Sequence, residues 1–225
     1  MQRAVRPALD KNKEIGRIME RQRGIMGVST DIEIRTAFHQ KKLRHLHACP
    51  HTLVLNELAI AHASARVDIA VINGCLHGYE IKSAADSLSR LPRQIGLYEE
   101  CLEKLTIVCA PKHVEGVEKI APSWCGIIEA NKGARGGIEF KTRRSSQRNT
   151  NIKADRLAHL LWRQEAMELL SSFDLPAAQL RKPRTELYKE ISARFTVSEI
   201  TEYIKKVMVV RPAWRGPPIH ASCGG

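Results

Sequence analysis

The feature that most constrains this chain is the stretch of residues 66–82, in which two β-rich segments flank an Asn-Gly pair. Such a pair between alternating segments is the strongest short-range signal of a β-hairpin. Apolar side chains occupy most odd positions, namely Val67, Ile69, Val71, Tyr79 and Ile81. Charged side chains stand on even positions, namely Arg66, Asp68, Glu80 and Lys82. Because buried charges are costly unless they are paired or bind a cation, the charged face predicts a metal site.

The turn decides whether Asp68 and Glu80 share a face. A two-residue loop pairs Ile72 with Cys75 and sends the two acids to opposite faces. A three-residue loop with its glycine in the left-handed conformation pairs Val71 with Cys75 and makes the acids diagonal neighbours on one face. We expect the three-residue loop, because one ion can then bridge both carboxylates.

The chemistry of such a site follows from its ligands. Asp68 and Glu80 offer the hard oxygen atoms that Mg²⁺ or Mn²⁺ prefers, and the backbone carbonyl of Ile81 is a further candidate ligand. A cation held there polarises a phosphodiester and activates a water molecule, while Lys82 positions that water or offsets developing charge. The plain alternative is that Lys82 only forms an ion pair with one of the acids.

Composition narrows the partner. Lysine and arginine outnumber aspartate and glutamate by 36 to 24, a net charge of +12. Nucleic acid is the commonest partner for such an excess, although an anionic membrane or simple solubility would also explain it. No apolar run is long enough to span a bilayer, and the N-terminus lacks the apolar core of a signal peptide, so we expect no membrane partner and a cytoplasmic location. Six scattered cysteines without a C-x-x-C pair predict no zinc or iron–sulfur site.

Taken in order, the chain predicts alternating helices and strands. The predicted elements are a helix from residue 29 or 30 to about 47, a strand over 52–58, the hairpin, a helix over 87–102 whose regular part begins near Pro92, a buried strand over 105–110, a helix over 114–120 and edge strands over 125–130 and 137–141. Three helices follow, the first over 153–173, the second opened by Pro183 and the third capped by Thr196 with Glu199.

Composition also predicts how the chain is divided. The predicted parts are a flexible basic extension (1–28), a main domain (29–141), a linker (142–152), a helical C-terminal unit (153–212) and a disordered tail (213–225). Basic side chains beside the hairpin, on the following helix and at the start of the linker are candidate phosphate contacts, namely Arg66, Arg90, Arg93, Lys141, Arg143 and Arg144.

At this point the sequence resembles a known family. Asp68 followed by Glu80-Ile81-Lys82 in a hairpin resembles the core motif of the PD-(D/E)XK nuclease superfamily. Gln94-x-x-x-Tyr98 on the following helix is similar to the Q-x-x-x-Y element of its RecB-type branch. The longer run over residues 78–94 also resembles a family of uncharacterised bacterial proteins of this fold.

The resemblance implies an α/β fold with a restriction-endonuclease-like core of order αβββαβ, in which helices flank a mixed central sheet, and a small C-terminal helical unit. It also implies that Gln94 and Tyr98 help to shape a catalytic site. An additional acid often comes from the first helix or strand of the superfamily, and Glu57 is the candidate here. The proline that usually precedes the first acid is replaced by Val67.

Together these observations predict a metal-dependent nuclease that hydrolyses DNA, with Mg²⁺ or Mn²⁺ as cofactor. The predicted catalytic residues are Asp68, Glu80, Lys82, Gln94 and Tyr98, and the predicted metal ligands are Asp68, Glu80, Ile81 and Glu57. One alternative is a module that binds nucleic acid or protein without cutting, and another is a structural protein whose hairpin charges form only an ion pair. The sequence leaves open the mode of cutting and the oligomeric state, a homodimer included.

Overall fold

The computed structural model describes residues 29–60, 64–173 and 175–211, so the predicted extension over 1–28 and the tail over 213–225 lie outside the described residues. The strands in these ranges are β1 (Leu53–Ile60), β2 (Ala65–Ile72), β3 (Leu76–Lys82), β4 (Lys104–Cys109), β5 (Gly126–Lys132) and β6 (Ile138–Arg144). The helices are α1 (Asp31–Lys41), α2 (Arg44–His47), α3 (Leu91–Glu99), α4 (Val114–Ile120), α5 (Ala154–Ala158), α6 (Arg163–Leu170), α7 (Ala177–Leu180), α8 (Arg184–Arg194) and α9 (Val197–Val210). None of these helices is long and apolar enough to cross a membrane.

The strands form one mixed sheet in the order β1-β2-β3-β4-β5-β6. The β3–β4 and β4–β5 pairs are parallel and the other pairs are antiparallel. Helix α1 packs on one face of the sheet through Ile34 and Phe38, and α3 belongs to the core on the other face through Leu91 and Ile95. The predicted α/β class, a mixed sheet flanked by helices, is confirmed.

Local sequence signals explain where several helices begin. Thr30 accepts the backbone N–H of Glu33 and caps α1, and Thr196 caps α9 in the same way through Glu199. Helix α3 starts at Leu91, one residue before Pro92, because proline is tolerated only in the first helical turn. The single helix predicted over 153–173 is wrong, because the chain leaves the helical conformation after α5 and a new helix, α6, starts after Trp162.

The C-terminal helices share their core with the sheet. Leu157, Leu170 and Ile204 belong to the same buried cluster as the α3 side of strands β2 and β3. Lys205 of α9 donates a hydrogen bond of 2.8 Å to the carbonyl oxygen of Gly74 in the hairpin turn. The helical unit is therefore attached directly to the hairpin that carries the predicted site.

The hairpin has the predicted loop length but another register. Residues 73–75 form a three-residue loop, and Gly74 takes the left-handed conformation with φ of +66°, as expected. The predicted pairing of Val71 with Cys75 is wrong, as is the pairing of Ile72 with Cys75, because Ile72 pairs with Leu76. All three turn residues therefore stay outside the ladder.

Candidate functional site

The strand pair that carries the site is irregular at Glu57 and Asp68. The β1–β2 register skips this pair and is regular on both sides of it. Glu57 has φ of +59°, a conformation that residues other than glycine rarely adopt. The alternation of side chains changes here, because Val67 packs on the α3 side whereas Ile69 packs on the α1 side. The predicted apolar face of odd positions is therefore wrong at Val67.

Asp68 lies at the end of the regular β2–β3 pairing. The last regular pair is Ile69 with Tyr79, so extending the register by one residue places Asp68 opposite Glu80 rather than diagonal to it. The Oδ2 atom of Asp68 accepts the backbone N–H of Ile81 at 2.6 Å. Ile81, predicted as a ligand through its carbonyl, thus meets Asp68 through its N–H group.

The ionisation of Asp68 is strongly perturbed. Burial, followed by the negative charge of Glu80, raises the pKa of Asp68 from 3.8 to about 7. The hydrogen bond from Ile81 and the positive charge of Arg35 oppose this shift without cancelling it. Two crowded acids of this kind occur at structural ion pairs as well as at catalytic sites, so the shift supports a functional site only together with its geometry.

Glu80 is the centre of a buried hydrogen-bond network. Its Oε1 atom accepts from Lys82 Nζ at 2.7 Å and from Gln94 Nε2 at 2.6 Å. Its Oε2 atom lies 2.8 Å from the hydroxyl of Tyr98, which also lies 2.7 Å from the carbonyl oxygen of Arg66. The structure thus brings together four of the five predicted catalytic side chains, with Asp68 on the neighbouring strand.

Secondary-structure periodicity aligns each pair of side chains, and the packing of α3 on the sheet brings the two pairs together. Glu80 and Lys82 stand two residues apart on β3 and therefore point to the same side of the sheet. Gln94 and Tyr98 stand four residues apart on α3 and form one stripe along that helix. Burial and the charge of Glu80 raise the pKa of Tyr98 well above its ordinary value, so the hydroxyl keeps its proton.

Arg35 belongs to this site, although sequence reasoning did not single it out. Its guanidinium lies 3.0 Å from Asp68 Oδ1, 2.8 Å from Glu57 Oε1 and 3.2 Å from Asp31 Oδ1. The spacing of four residues between Asp31 and Arg35 on α1 was the available signal. No pattern in the sequence indicated that α1 would lie over the end of the hairpin.

The acidic side chains of the site have the chemistry that a divalent cation requires. Their present arrangement does not form a cation site. Asp68, Glu80 and Glu57 supply the hard oxygen atoms that Mg²⁺ and Mn²⁺ prefer, and the Arg35 guanidinium stands in as a cation between two of them. Within residues 29–60, 64–173 and 175–211, no three histidine, cysteine, aspartate or glutamate side chains are grouped so that they could hold a metal ion. The predicted ligands are neighbours that do not surround one point.

The predicted nucleic-acid contacts fall into two groups. Arg90 and Arg93 are exposed at the start of α3, one turn or less before Gln94, and the Arg66 side chain is 62% exposed beside Glu57. The remaining three lie at the far edge of the sheet, on β6, namely Lys141, Arg143 and Arg144. Three strand spacings separate β6 from β3, which is about 14 Å.

Two of the β6 residues already have protein partners. Arg143 forms an ion pair with Glu129 on β5. Arg144 donates to the carbonyl oxygens of Ala121, Pro122 and Cys125, so its guanidinium satisfies the backbone that follows α4. Lys141 is exposed on the same strand. These contacts give Arg144 a clear structural role.

Comparison with known proteins places the chain in a family. Protein cII of Enterobacteria phage P4 is 29% identical over 152 residues, which make up 67% of this chain and 56% of the phage protein, so the chain spans about half the length of that curated relative. A solved structure of a protein of unknown function from Silicibacter pomeroyi aligns with 84% of this chain and 99% of its own, at 16% identity and a TM-score of 0.37. The family model described as bacteriophage P4 protein cII matches residues 30–211. Because that match covers most of the chain, this protein belongs to the bacteriophage P4 protein cII family.

Proposed function

We propose that this chain is a divalent-metal-dependent nuclease that hydrolyses phosphodiester bonds of DNA. The supporting observation is the convergence of Glu80, Lys82, Gln94 and Tyr98 beside Asp68, on a hairpin and the helix that follows it. The element order from α1 to β4, with the short helix α2 after α1, is consistent with the proposed restriction-endonuclease-like core. Fold alone does not determine function, so the proposal depends on the site.

Each side chain of the site has a definite role in this proposal. Asp68 and Glu80 would hold Mg²⁺ or Mn²⁺, with Glu57 and the carbonyl of Ile81 as further candidate ligands. A cation held there would supply Lewis-acid activation of the phosphodiester and of a water molecule. Lys82, whose ammonium group lies 2.7 Å from Glu80, offsets negative charge that develops on the phosphate.

Gln94 and Tyr98 act as positioning residues. Gln94 donates to the Oε1 atom of Glu80 and accepts from Lys82 Nζ at 3.1 Å, so it fixes the relative positions of the carboxylate and the ammonium group. Tyr98 holds the second oxygen of Glu80 from within the core, where its ring is fully buried. Because hydrogen bonds fix both oxygen atoms of Glu80, its carboxylate keeps one orientation and its unused lone pairs point in one direction.

Basic side chains beside this site are available to contact the DNA backbone. We propose that Arg66, Arg90 and Arg93 bind phosphates near the cleaved bond, while Lys141 and Arg143 on β6 contact the backbone farther along. Substituting any of these should weaken binding to all DNA sequences to a similar extent, since phosphate contacts carry no sequence information.

One observation favours a second candidate, a module that binds nucleic acid without cutting. Both oxygens of Asp68 and both oxygens of Glu80 already lie within hydrogen-bond distance of a protein donor. A carboxylate pair that is satisfied internally is stable without a metal ion. This candidate predicts DNA binding that weakens with salt, is independent of metal and is not followed by hydrolysis.

A cleavage assay separates the two. Linear, circular and single-stranded DNA would each be incubated with Mg²⁺, Mn²⁺ or EDTA and the purified chain, its Glu80→Gln variant and its Lys119→Ala variant. Lys119 pairs with Glu115 on the exposed face of α4 and lies outside the proposed site, so it serves as the control. Metal-dependent cutting that is lost only in Glu80→Gln would support the nuclease. DNA binding without cutting, unchanged by EDTA and by Glu80→Gln, would favour the binding module.

A further inference from the structure

The guanidinium of Arg35 lies among three carboxylates. One terminal nitrogen is 2.8 Å from Glu57, and the other is 3.0 Å from Asp68 and 3.2 Å from Asp31. The same side chain also donates to the backbone carbonyl of Asp68 at 2.9 Å. Arg35 contacts each carboxylate through one oxygen atom, and its planar set of five N–H donors lets it serve several acceptors at once.

The contact with Asp68 is shielded from water, whereas the Glu57 and Asp31 side chains are 44% and 42% exposed, and the guanidinium connects α1 to both β1 and β2. The Arg35 and Asp68 side chains are each only 17% exposed. Arg35 comes from α1, whereas Glu57 and Asp68 come from β1 and β2 at the skipped pair of their ladder. Within the part of the chain that the structure describes, Arg35 is the cationic side chain in contact with Asp68.

The position of Arg35 has a consequence for cation binding. A divalent cation beside Asp68 and Glu57 would lie within a few ångströms of the guanidinium, and like charges at that distance repel strongly in a partly buried setting. The Oδ1 atom of Asp68 and the Oε1 atom of Glu57 also direct lone pairs at Arg35 rather than at a common point. This explains why the acids do not form a ready-made metal group.

We propose that Arg35 is a built-in counter-ion that holds the cation site closed, and that a divalent cation binds Asp68 only when the guanidinium moves away. The inference rests on the proposed function, because it concerns the same cation site. A DNA phosphate offers the displaced arginine another anionic partner, which its planar donors can contact at two oxygen atoms. Cation binding then strengthens DNA binding, and DNA binding strengthens cation binding by the same factor.

The direct test is a Mn²⁺ titration of the full chain, in which electron paramagnetic resonance measures the free Mn²⁺ that remains. Arg35→Gln should bind Mn²⁺ more tightly than the unaltered protein by roughly tenfold or more, in the absence of DNA. Arg194→Gln is the matched control, because Arg194 forms a partly exposed ion pair with Glu190 on α8, outside the proposed cation site. Its affinity for Mn²⁺ should equal that of the unaltered protein.

A second variant guards against misfolding. Arg35→Lys keeps the positive charge but cannot contact Glu57 and Asp68 with a planar fork, so its affinity should fall between those of the unaltered protein and Arg35→Gln. Adding Asp68→Ala to Arg35→Gln should remove the gain in Mn²⁺ affinity. Circular dichroism would verify that each variant is folded.

The outcomes distinguish the inference from the function on which it rests. Equal Mn²⁺ affinity in the unaltered protein and in both Arg35 variants, lost on Asp68→Ala, would overturn the counter-ion role and leave the cation site standing. No Mn²⁺ binding by any variant would overturn both. A gain in Arg35→Gln that survives Asp68→Ala would place the ion elsewhere and also overturn the inference.

Discussion

Lys82 Nζ lies 2.7 Å from Glu80 Oε1, in an ion pair whose side chains are only 8% and 2% exposed. The pair between Lys119 and Glu115 has nearly the same separation, 2.6 Å, but its side chains are 72% and 82% exposed. An equal distance therefore does not mean an equal energy. Removing one partner of a buried pair leaves an unpaired buried charge, whereas an exposed pair contributes little to stability.

Lys82→Met should therefore lower the free energy of unfolding by about 3 kcal/mol, because Glu80 then remains buried without its cation. Urea unfolding at neutral pH measures the change. Lys119→Met, the exposed counterpart, should leave the urea midpoint unchanged. Equal midpoints for the two variants would show that Glu80 finds another cation or a proton.

The hydroxyl of Tyr98 should contribute to stability separately from its ring. Tyr98→Phe keeps the buried ring but leaves Glu80 Oε2 and the carbonyl of Arg66 without this partner, so we expect a loss of about 1–2 kcal/mol. Tyr203→Phe is the control, since this tyrosine is only half-buried and its hydroxyl contacts the carbonyl of Glu165, at 3.2 Å, and the side chain of Glu168. Thermal unfolding should rank Tyr98→Phe below Tyr203→Phe.

Asp68 should make stability depend on pH in a defined window. Its pKa rises from 3.8 to about 7 on folding, so between these pH values the folded state binds more protons than the unfolded state. This group therefore destabilises the protein progressively as the pH rises from about 4 to about 7, by at most about 1.4 kcal/mol for each unit of pKa shift, and adds no further change above that.

Asp68→Asn removes that contribution. The difference in unfolding free energy between Asp68→Asn and the unaltered protein should move in favour of the variant as the pH rises from about 4 to about 7. Urea unfolding at pH 4.5, 6 and 7.5 measures it, and comparing the two proteins cancels the shared carboxylates that do not interact with Asp68. A difference that is flat across this range would contradict a raised pKa.

Two glycines should respond to alanine in opposite ways. A Cβ atom at Gly126 would lie 2.7 Å from Thr106 Oγ1 and 2.9 Å from the backbone nitrogen of Ser146, so Gly126→Ala should cost about 1–3 kcal/mol. A Cβ atom at Gly96 of α3 would meet nothing within 4 Å, so Gly96→Ala should stabilise the helix by up to about 1 kcal/mol. Thermal unfolding of both variants checks the signs.

The elements were largely predictable because their signals are local. The cap at Thr30, the start of α3 near Pro92 and the capping box at Thr196 each depend on a few adjacent residues. Helix α4 has the bounds expected from the sequence, Val114–Ile120. The periods of a strand and a helix put Glu80 with Lys82, and Gln94 with Tyr98, on shared faces, whereas the meeting of the two pairs was implied by the resemblance alone.

The strand register was not predictable, because it depends on how the strands pair across the whole sheet and not on the turn alone. The conformation of Gly74 is a local property and was foreseen, but the pairing of Ile72 with Leu76 is a property of the whole sheet. The left-handed backbone conformation of Glu57 likewise has no signal in the sequence, because glutamate rarely adopts it. It arises where two strands leave their regular ladder.

Arg35 shows a different limit. Its partners Glu57 and Asp68 are 22 and 33 positions away along the chain, so only tertiary packing brings them together. An isolated arginine in an amphipathic helix looks like a solvated side chain. The need for a cation beside the hairpin acids was foreseeable from their burial, whereas the identity of that cation was not.

The stretch between the sheet and the C-terminal helices has a consequence for how this family can change. Asn149, in the predicted linker, is 3% exposed and donates to the carbonyl oxygens of Glu99 and Leu102, and Arg148 pairs with the buried Glu103. A crossover within residues 142–152 would therefore divide one hydrophobic core rather than separate two modules. A chimera of two relatives joined within this stretch would combine a sheet and helices from different cores, so we expect it to be less stable than either parent.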